Sequence, residues 1–561
     1  INEMRSEPST RRSVLALLTA VALLHLLACA NAANLLLGRA ATRRREAAVR
    51  AALGAGAWRS FVFLVGEGVV LALIGGVVGV AVAALISRAI YVPDDLWAGR
   101  SLHGALGSFD EPSFGARGAL FGAALTLTTA LIVGCIPAIS MMRSDLLAGL
   151  RAGARGMSEG GGTLRRPSLR GAVVALEAAL AVLLLVSGGL MITSYSRMRN
   201  TDLGVESSHV LTFLLRPAEV RVPPSAAPAH IARVLAAITS VPGVESATVD
   251  GGAPVSGSAR SLAHIVGQPV VPDADAPRVN RHYVAPDHFK TLGMRVLAGR
   301  AFDDGDIAGR QKVTIVSESA ARTFWPNADP LGKRVWFGSS GTWANADSSA
   351  VVVGVVNDIA TEALDERPNK NEFYTPYAQF TYAWRYYFVR TTGEPIAIVP
   401  QLRKAIASVE PDLPMTEVKP LGELIGSSWA RHRFDAWLFG AFSALAIVLA
   451  SAGIYAVVAY SVSTRTREIG IRMALGARRS EIVQLVLREG MALPLFGLCV
   501  GVLLALASTR ILRASLYDVT PTDPVVFGGS VALLVTVSVL ACLLPARRAT
   551  RVDPNEALRS E

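Results

Sequence analysis

Long apolar runs joined by short arginine-rich connections dominate the pattern of this chain. Seven runs reach the roughly 20 residues that a membrane-spanning helix needs, and they lie at about 13–36, 61–86, 116–139, 169–193, 434–460, 482–508 and 525–545. One long polar stretch, from about 195 to 430, separates the fourth run from the fifth. The pattern predicts an α-helical transmembrane protein of about seven helices with one large domain outside the membrane.

The polar stretch contains short apolar segments of both strand and helix type, which is typical of an α+β domain. Strands are predicted at 210–214, 313–316, 350–356 and 382–389, and helices at 229–239 and 396–409. The segment 350–356 is almost continuously apolar, so its strand is expected to be buried. Ser317 is expected to be the N-cap of a further helix that follows the strand at 313–316. One or two small α/β sandwich subdomains follow from this order.

A segment of fourteen residues occurs twice, each time between two apolar runs. Residues 42–55 read TRRREAAVRAALGA and residues 464–477 read TRTREIGIRMALGA, with nine identical positions. In each copy a Glu and an Arg four residues later share one helical face, and a Gly follows where a helix C-cap is expected. A loop that only sets membrane orientation needs Arg or Lys at any position, and that interpretation remains open. The repeated order instead predicts a short amphipathic helix with a docking surface of fixed shape.

The repeat extends into the neighbouring runs, so 13–151 and 434–559 are predicted to be two versions of one three-helix unit. Glu67 and Gly68 match Glu489 and Gly490, and the pair Gly75 and Gly79 matches Gly497 and Gly501. Small residues at this spacing let helices approach closely in lipid, which favours packing sites over hinges. The predicted domains are a first unit at 1–152, a cytoplasmic linker at 153–168, a further membrane helix at 169–194, the outside domain at 195–430 and a second unit at 431–561.

Composition and charge agree with a membrane protein. The chain has 561 residues, of which 51% are hydrophobic and 18% charged, and its net charge is +11. The Arg excess lies in short connections between apolar runs, so these are expected to be cytoplasmic and the stretch 195–430 to be outside. Nucleic-acid binding is not expected, because no basic patch with exposed aromatics occurs away from the membrane flanks. The four cysteines all fall within apolar runs, so no disulfide framework is predicted.

The motifs of ATP hydrolysis and of metal catalysis are missing from the sequence. Gly332-Lys333 is followed by Arg and lacks the glycine spacing of a phosphate-binding loop. No H-E-x-x-H pair and no set of nucleophile, base and metal ligands is visible, so the chain is not expected to be an enzyme. The run 303–306, Asp-Asp-Gly-Asp, is interpreted as a polar turn and not as a calcium loop. Glu177 lies inside the fourth apolar run, where it is either a functional site or a carboxylate bonded to a neighbouring helix near the cytoplasmic edge.

Several motifs together resemble a known family. They are REIGIRMALGA at 467–477, LLACANAANLLLGRA at 26–40, PTDP at 521–524, PARRATRVDPNEALR at 545–559, FKTLGMRVLAGRAF at 289–302, DPLGKRV at 329–335 and VVGVVND at 352–358. With them the chain resembles the FtsX-like, MacB-type permeases of ATP-binding-cassette (ABC) systems, and within these the duplicated acidobacterial permeases often called orphan. The resemblance covers nearly all of the chain.

The resemblance implies that the two repeated segments are coupling helices that sit on a separate ABC ATPase. The implied coupling residues are Arg45, Glu46, Arg50 and Gly54 in the first copy and Arg467, Glu468, Arg472 and Gly476 in the second. The first copy has Ala47, Ala48 and Ala51 where the second has Ile469, Gly470 and Met473, so its contact with the ATPase is expected to be shallower. The resemblance also implies four helices and one periplasmic domain in each unit. The chain therefore looks like a duplicated permease that is incomplete at its N-terminus.

The resemblance further implies a multi-pass protein of the bacterial inner membrane with its large domain in the periplasm. ATP would be bound by the partner ATPase, and this chain is expected to hold no cofactor and no metal. A periplasmic adaptor or hydrolase is a further implied partner, and the duplication suggests a dimer-like arrangement within one chain. Two functions remain open: mechanotransmission that drives export or efflux of an unknown substrate, and a non-transporting signalling scaffold that controls a periplasmic partner.

Overall fold

The computed structural model describes residues 8–42, 57–90, 115–143, 169–215, 226–254, 258–269, 271–338, 349–360, 371–380, 385–411, 413–512 and 516–550. These residues form two compact units. A membrane unit contains the described residues up to Arg197 and from His432 onward, and an insert unit contains Met198–Arg431.

The elements follow one another in chain order. The first four helices are α1 (Pro8–Thr42), α2 (Ala57–Ile90), α3 (Ala116–Arg143) and α4 (Leu169–Arg199). The insert unit has β1 (Val210–Leu215), α5 (Ala227–Thr239), β2 (Val244–Asp250), β3 (Ala259–Ile265), β4 (Arg278–Val284), α6 (His288–Thr291), β5 (Val296–Gly299), β6 (Val313–Ser317), α7 (Glu318–Phe324), β7 (Arg334–Phe337), β8 (Ala350–Val356), β9 (Glu372–Pro376), β10 (Arg385–Thr391), α8 (Val399–Val409), β11 (Thr416–Pro420) and α9 (Leu421–Ser428). The chain then forms α10 (Ala430–Thr464), α11 (Thr466–Ala474), α12 (Arg479–Leu512) and α13 (Pro524–Ala549).

Seven helices in the described part of the chain are long and apolar enough to cross a membrane. Their candidate spans are Leu15–Leu37, Val65–Leu85, Gly118–Cys135, Arg170–Arg199, His432–Thr464, Arg479–Ser508 and Pro524–Ala549. Each coincides with one of the seven apolar runs, so the predicted number and order of spans are confirmed. The protein is a multi-pass α-helical membrane protein with an inserted α+β domain.

Helix α4 lies at the centre of the membrane unit. In its most apolar window 78% of the residues are buried, against 11% to 33% in the other six spans. Its fully buried residues Ala178 and Ala181 belong to one apolar core with residues of four other helices: Leu27 of α1, Ala446 and Ala450 of α10, Ala505 of α12 and Leu534 of α13. The fourth apolar run therefore forms the helix around which α1, α10, α12 and α13 pack.

Glycines set the closest approach between α4 and α12. A Cβ atom built on Gly497 would collide with the carbonyl oxygen of Ala175, and one built on Gly501 would lie 2.7 Å from that of Ala179. The prediction that these two glycines are packing sites is confirmed. Their counterparts on α2, Gly75 and Gly79, have no described atom within 4 Å of a built Cβ. The same glycine pair thus lies in a helix contact in the second repeated unit, whereas in the first unit no described residue packs against it.

A four-stranded sheet forms one half of the insert unit. Its strand order is β11-β1-β10-β2, and all three pairings are antiparallel. One face packs against α5 and α8, where Leu211 and Phe213 of β1 meet Ile231 and Leu402. Val210 and Phe388 instead join a core with Tyr374 and Val313 of the second sheet. The sheet is therefore covered on both faces, which accounts for the continuous burial of β1.

The second sheet has seven strands in the order β5-β8-β6-β9-β4-β3-β7. An additional pairing of β7 with β8 closes six of these strands into a ring, and β5 extends the edge of β8. The pairs β4–β9 and β6–β8 are parallel. The side chain of Ser317 accepts a hydrogen bond from the backbone N–H of Ala320 at 3.2 Å, which confirms Ser317 as the N-cap of α7. Two sheets with flanking helices correspond to the predicted α/β subdomains.

Most predicted insert elements agree with the structure to within one or two residues, and the two largest differences are at the starts of α8 and β10. The helix expected at 396–409 begins as a 3-10 turn, Pro395–Ile398, and becomes α-helical only from Val399. Pro400 explains this, since its nitrogen has no hydrogen to bond back to residue 396. The strand expected at 382–389 is observed from Arg385 to Thr391, and residues 381–384 lie outside the described part. Tyr387 and Phe388 are buried, so these two aromatic residues of β10 belong to the core of the insert unit.

The two matched glycine pairs give a test of the contact between α4 and α12. Gly497→Ala is expected to lower the apparent melting temperature of the detergent-solubilised full chain, because a methyl group must force two backbones apart, at a cost of about 1–3 kcal/mol. Gly75→Ala, made at the equivalent position of the first unit, is the matched control and is expected to leave the melting temperature unchanged or slightly raised. Equal destabilisation by both substitutions would contradict the asymmetry described above.

Candidate functional site

The structure describes the predicted coupling residues of the second repeated segment only. Arg45, Glu46, Arg50 and Gly54 of the first segment lie outside the described residues. Arg467 lies within α11, where its backbone is described and its side chain is not. Glu468, Arg472 and Gly476 are described in full. Helix α11 is therefore the described part of the predicted coupling site.

Helix α11 is a short, capped helix between α10 and α12. Glu468 lies in its first turn and Arg472 in its last, an arrangement that the helix dipole favours. The Arg472 guanidinium donates to the Glu468 carboxylate at 2.6 Å, and both side chains are about half exposed. A surface pair of this kind contributes only about 0.3–0.5 kcal/mol to the helix. The predicted pairing on one helical face is observed, and it shapes the surface more than it stabilises it.

Gly476 ends α11 in the left-handed conformation, with a φ of 94°. The N–H of Ala477 donates to the carbonyl of Arg472 and the N–H of Gly476 to that of Met473, both at 3.0 Å. This pair of bonds is a Schellman motif, which fixes the end of the helix and the direction of the chain that follows. The predicted role of this glycine as a C-cap is confirmed.

The inner face of α11 is fastened to two membrane helices. Ile469 is buried against Ile482 in the first turn of α12 and Ala549 at the end of α13, and Met473 packs against the same cluster. Directly before the first residue of α11, Arg465 forms an ion pair with Glu489 of α12 at 2.5 Å. A displacement of α11 must therefore be accompanied by a displacement of α12 and α13.

The outer face of α11 is formed by Glu468, Ile471, Arg472 and Leu475. Ile471 is 43% exposed and Leu475 is 84% exposed, so two large apolar side chains one turn apart lie beside the ion pair. An exposed apolar ridge next to fixed charges is the composition of a protein-docking surface, in which apolar contacts provide affinity and charges provide orientation.

Ile471 and Leu475 were not singled out from the sequence. Both are apolar and lie four residues apart, but they fall out of phase with Ile469 and Met473, so the periodicity of one short helix does not show which pair faces outward. The repeat contains the missing signal. In the first segment the same positions hold Val49 and Leu53, so both copies have an apolar pair there.

A second polar cluster, which was also missed, lies buried in the insert unit. The ring of His282 on β4 bonds to Asp250 of β2 through Nδ1 at 2.7 Å and to Glu372 of β9 through Nε2 at 2.8 Å. The second oxygen of Glu372 accepts a hydrogen bond from Asn280 at 2.9 Å. Asp250 belongs to the four-stranded sheet and the other three residues to the seven-stranded sheet, so this His282 cluster joins the two sheets.

The charges of the His282 cluster follow from its geometry. Both ring nitrogens of His282 face carboxylates, so the doubly protonated imidazolium satisfies both hydrogen bonds. Burial alone lowers the pKa of His282, but Asp250 and Glu372 outweigh burial and raise the pKa to about 10. Burial lowers the pKa of the nearby His288 to about 4, with Asp250 opposing the shift and the charge on His282 adding to it. Near neutral pH, His282 is therefore charged and His288 is neutral.

The acidic turn at 303–306 is explained by a structural contact. Asp306 forms two bonds with the guanidinium of Arg300, at 2.8 and 2.9 Å, and accepts from the N–H of Asp303 at 3.0 Å. Its carboxylate thus closes a turn, which agrees with the interpretation as a polar turn. No group of three or more His, Cys, Asp or Glu side chains suited to a metal ion occurs in the described ranges.

Comparison with known proteins gives family matches for both repeated three-helix units and for the insert. The family model described as FtsX-like permease C-terminal matches two stretches, 18–146 and 440–554, which correspond to the two repeated units. The model described as MacB-like periplasmic core domain matches 173–409, which contains most of α4 and most of the insert unit. The chain belongs to the FtsX/MacB-type ABC transporter permeases. Both halves of the duplication and the inserted domain are thereby accounted for.

Individual relatives of this permease are more distant. An uncharacterized ABC transporter permease, YknZ of Bacillus subtilis (strain 168), is 26% identical over 281 residues, which are 49% of this chain and 68% of YknZ. The macrolide export ATP-binding/permease protein MacB of Marinobacter nauticus is 26% identical over 278 residues, which are 47% of this chain and 41% of MacB. The chain thus spans about two thirds of YknZ and less than half of MacB. A solved structure, the periplasmic region of MacB from Actinobacillus actinomycetemcomitans, is 16% identical with a TM-score of 0.28, and the match covers 41% of this chain and 95% of that one.

The His282 cluster predicts a stability maximum of the insert unit near neutral pH. The raised pKa of His282 provides stability that is complete below about pH 6.5 and is lost as the pH rises through about 10. The lowered pKa of His288 provides stability above about pH 6.5 that is lost as the pH falls to about 4. The protection of the β2, β4 and β9 peptides against hydrogen exchange in the full chain, taken relative to the intrinsic exchange rate at each pH, is expected to fall on both sides of neutrality.

Two substitutions separate the acid and alkaline effects. His282→Gln leaves two buried carboxylates without a cation, so it is expected to cost about 3–5 kcal/mol at neutral pH and to remove the alkaline loss of protection. His288→Leu is the matched control, which is expected to remove the acid effect and keep the alkaline one. An alkaline response that survives in His282→Gln would show that another group is responsible.

Proposed function

We propose that this permease is the membrane subunit of an ABC-type system that transmits ATP-driven motion of a separate ATPase to its periplasmic domain. The outer face of α11 is the contact with that ATPase, and the first repeated segment is the second contact. ATP is bound and hydrolysed by the partner, and this chain provides neither a nucleotide site nor a catalytic residue. The motion serves export or efflux of a substrate, as the name of the MacB relative says of that protein.

The observation that carries this proposal is the combination of the two faces of α11. Its outer face exposes Ile471 and Leu475 beside the Glu468–Arg472 ion pair. Its inner face is held to α12 and α13 through Ile469 and through the Arg465–Glu489 pair. A docking surface attached rigidly to membrane helices converts movement of a bound partner into movement of those helices.

The positions of the arginines support the proposed orientation. The connections that carry α11 and the end of α13 are rich in Arg, which favours the cytoplasmic side for both. The insert unit then lies on the opposite side, in the periplasm of a bacterial inner membrane. In this orientation the outer face of α11 is on the side of the membrane where ATP is available.

Leu475→Glu tests the proposed contact. Because Leu475 is 84% exposed, the substitution is expected to leave folding unchanged, while a charge within an apolar contact is expected to weaken ATPase association by about tenfold or more. The measurement is affinity purification of the full-length protein from its native membrane in mild detergent, with identification of the co-purifying ATPase and an ATPase assay on the eluate. Gln401→Glu, which adds the same charge on an exposed position of α8, is the matched control.

A second variant tests the charged pair. Glu468→Lys combined with Arg472→Glu keeps an intrahelical ion pair but reverses its direction, so α11 is expected to persist while association is lost. If both variants retain the ATPase, the outer face of α11 is not the contact. If no ATPase accompanies the unaltered protein under any condition, the coupled system is wrong and a scaffold that signals to a periplasmic partner replaces it.

A further inference from the structure

Glu177 is a buried carboxylate that has no hydrogen-bond partner in the described part of the membrane unit. It lies on α4, two turns inside the span that begins at Arg170, and none of its surface is exposed. Neither of its side-chain oxygens has a hydrogen-bond partner among the described residues. The sequence allowed a carboxylate bonded to a neighbouring helix, and the structure contradicts that interpretation.

The carboxyl group of Glu177 occupies a space that a glycine leaves open. A Cβ built on Gly453 of α10 would collide with Oε2 of Glu177 and would lie 2.9 Å from its Cδ. Any larger residue at position 453 would therefore displace the carboxyl group. Helix α10 is shaped to receive this side chain at one specific turn.

Asn31 of α1 meets the same turn of α10. Its side-chain amide donates to the carbonyl oxygen of Leu449 at 2.8 Å, and in a helix that carbonyl also accepts from the N–H of Gly453. The side-chain oxygen of Asn31 and the side-chain nitrogen of Asn34, one turn along α1, are both buried without a described partner. Asn31 of α1 and Glu177 of α4 thus both meet residues 449–453 of α10, and each has a side-chain oxygen without a described partner.

This position is also where the two repeated units meet. Asn31 and Gly453 are related by the same sequence offset that relates Glu46 to Glu468. Equivalent turns of α1 and α10 therefore approach each other with Glu177 beside them. In transport proteins built from repeats, coupling-ion sites commonly lie at the interface between the repeats.

The ionised form of Glu177 does not fit these surroundings. A carboxylate that is removed from water needs a cation or several donors, and in their absence the group takes up a proton. The described titratable side chains in the spans of α1, α4, α10, α12 and α13 include His25, Cys29, Arg170, Tyr455, Tyr460, Glu489, Cys499 and Cys542. None of them forms an ion pair or hydrogen bond with Glu177. Arg170 is bonded to the carbonyl of Leu37 and stacked on Tyr460, and Glu489 is paired with Arg465.

The protonated form matches the orphan atoms by type. A carboxylic acid offers one O–H donor and one carbonyl acceptor. Asn31 presents an unused acceptor and Asn34 an unused donor. A single bound proton therefore makes Glu177 a neutral group that offers both a donor and an acceptor.

We propose that Glu177 is a proton-binding site at the interface of the two repeated units, and that release of its proton accompanies separation of α4 from α10. In the packed state the proton is held on a side-chain oxygen of Glu177. When α10 moves away, water reaches the carboxyl group, the proton passes to that water, and the carboxylate remains solvated. Reclosure requires the proton to return, so the membrane unit couples one proton to its conformational change.

Infrared spectroscopy of the full-length protein in lipid nanodiscs tests the bound proton directly. At neutral pH the unaltered protein is expected to show a carbonyl band of a buried carboxylic acid, which is absent in Glu177→Gln and shifted in Glu177→Asp. Glu489→Gln is the matched control, because Glu489 is a half-exposed, ion-paired carboxylate of the same unit, and it is expected to retain the band. A band that persists in Glu177→Gln, or no such band in the unaltered protein, would overturn the proposal.

The pH dependence of melting tests the coupling. The apparent melting temperature of the unaltered protein is expected to fall as the pH rises from mildly acidic to alkaline. The fall is expected to be larger than in Glu177→Gln, because the side-chain amide of Gln does not titrate. Each variant is also measured with His282→Gln, so that the alkaline response of the insert unit is removed from both. If the two proteins then show the same dependence on pH, Glu177 does not couple a proton to the packing of α4 and α10. Neither measurement requires an ATPase, so the result is independent of the contact proposed for α11.

Discussion

The close approach of α4 to its neighbours is the constraint on which the membrane unit depends. In lipid, helices gain little from burying apolar side chains, so their association relies on contact between backbones and on the few polar groups between them. Gly497 and Gly501 bring α12 against the backbone of α4, and Ser443 of α10 donates to the carbonyl of Leu184 at 2.9 Å. These contacts make α4 the common neighbour of the second unit and of α1. Positions at which a methyl group cannot be added thus determine the arrangement of the helices.

Duplication explains why identical motifs have different surroundings. The glycine pair Gly75 and Gly79 of α2 corresponds in sequence to Gly497 and Gly501 of α12. The pair on α12 contacts α4, whereas a Cβ built on either glycine of the α2 pair has no described atom within 4 Å. Other equivalent contacts are present in both units: Gly68 meets Gly134 of α3, and Gly490 meets Cys542 of α13. The pairing of the second and third helices is therefore a property of the repeated unit itself. The glycine contact of the second helix with α4 is an additional property of the second unit in the described part of the chain.

The spans, the repeat and the principal strands could be predicted because they depend on local periodicity and on comparison of one segment with another. The outward direction of Ile471 and Leu475 could not, since it depends on the contact of Ile469 with α12 and α13. The His282 cluster could not be predicted either: its members lie on three strands, with Asp250 and Glu372 separated from His282 by 32 and 90 residues. The sequence also could not predict that Glu177 has no hydrogen-bond partner among the described residues. A Glu within an apolar run gives the same sequence pattern whether or not a neighbouring helix bonds to it.

The membrane unit forms a closed series of contacts that limits how it can respond to force. Helix α11 is held to the first turn of α12, α12 contacts α4 through its glycines, and α4 contacts α10 through Glu177 and Gly453. Helix α10 leads back directly into α11. A force applied at α11 therefore reaches α4 by two routes, through α12 and through α10. The α12 route ends at backbone atoms of α4, whereas the α10 route ends at the Ser443–Leu184 hydrogen bond and at the carboxyl group of Glu177. Because that carboxyl group has no hydrogen-bond partner among the described residues, separation at Glu177 breaks no hydrogen bond, whereas separation at Ser443 does.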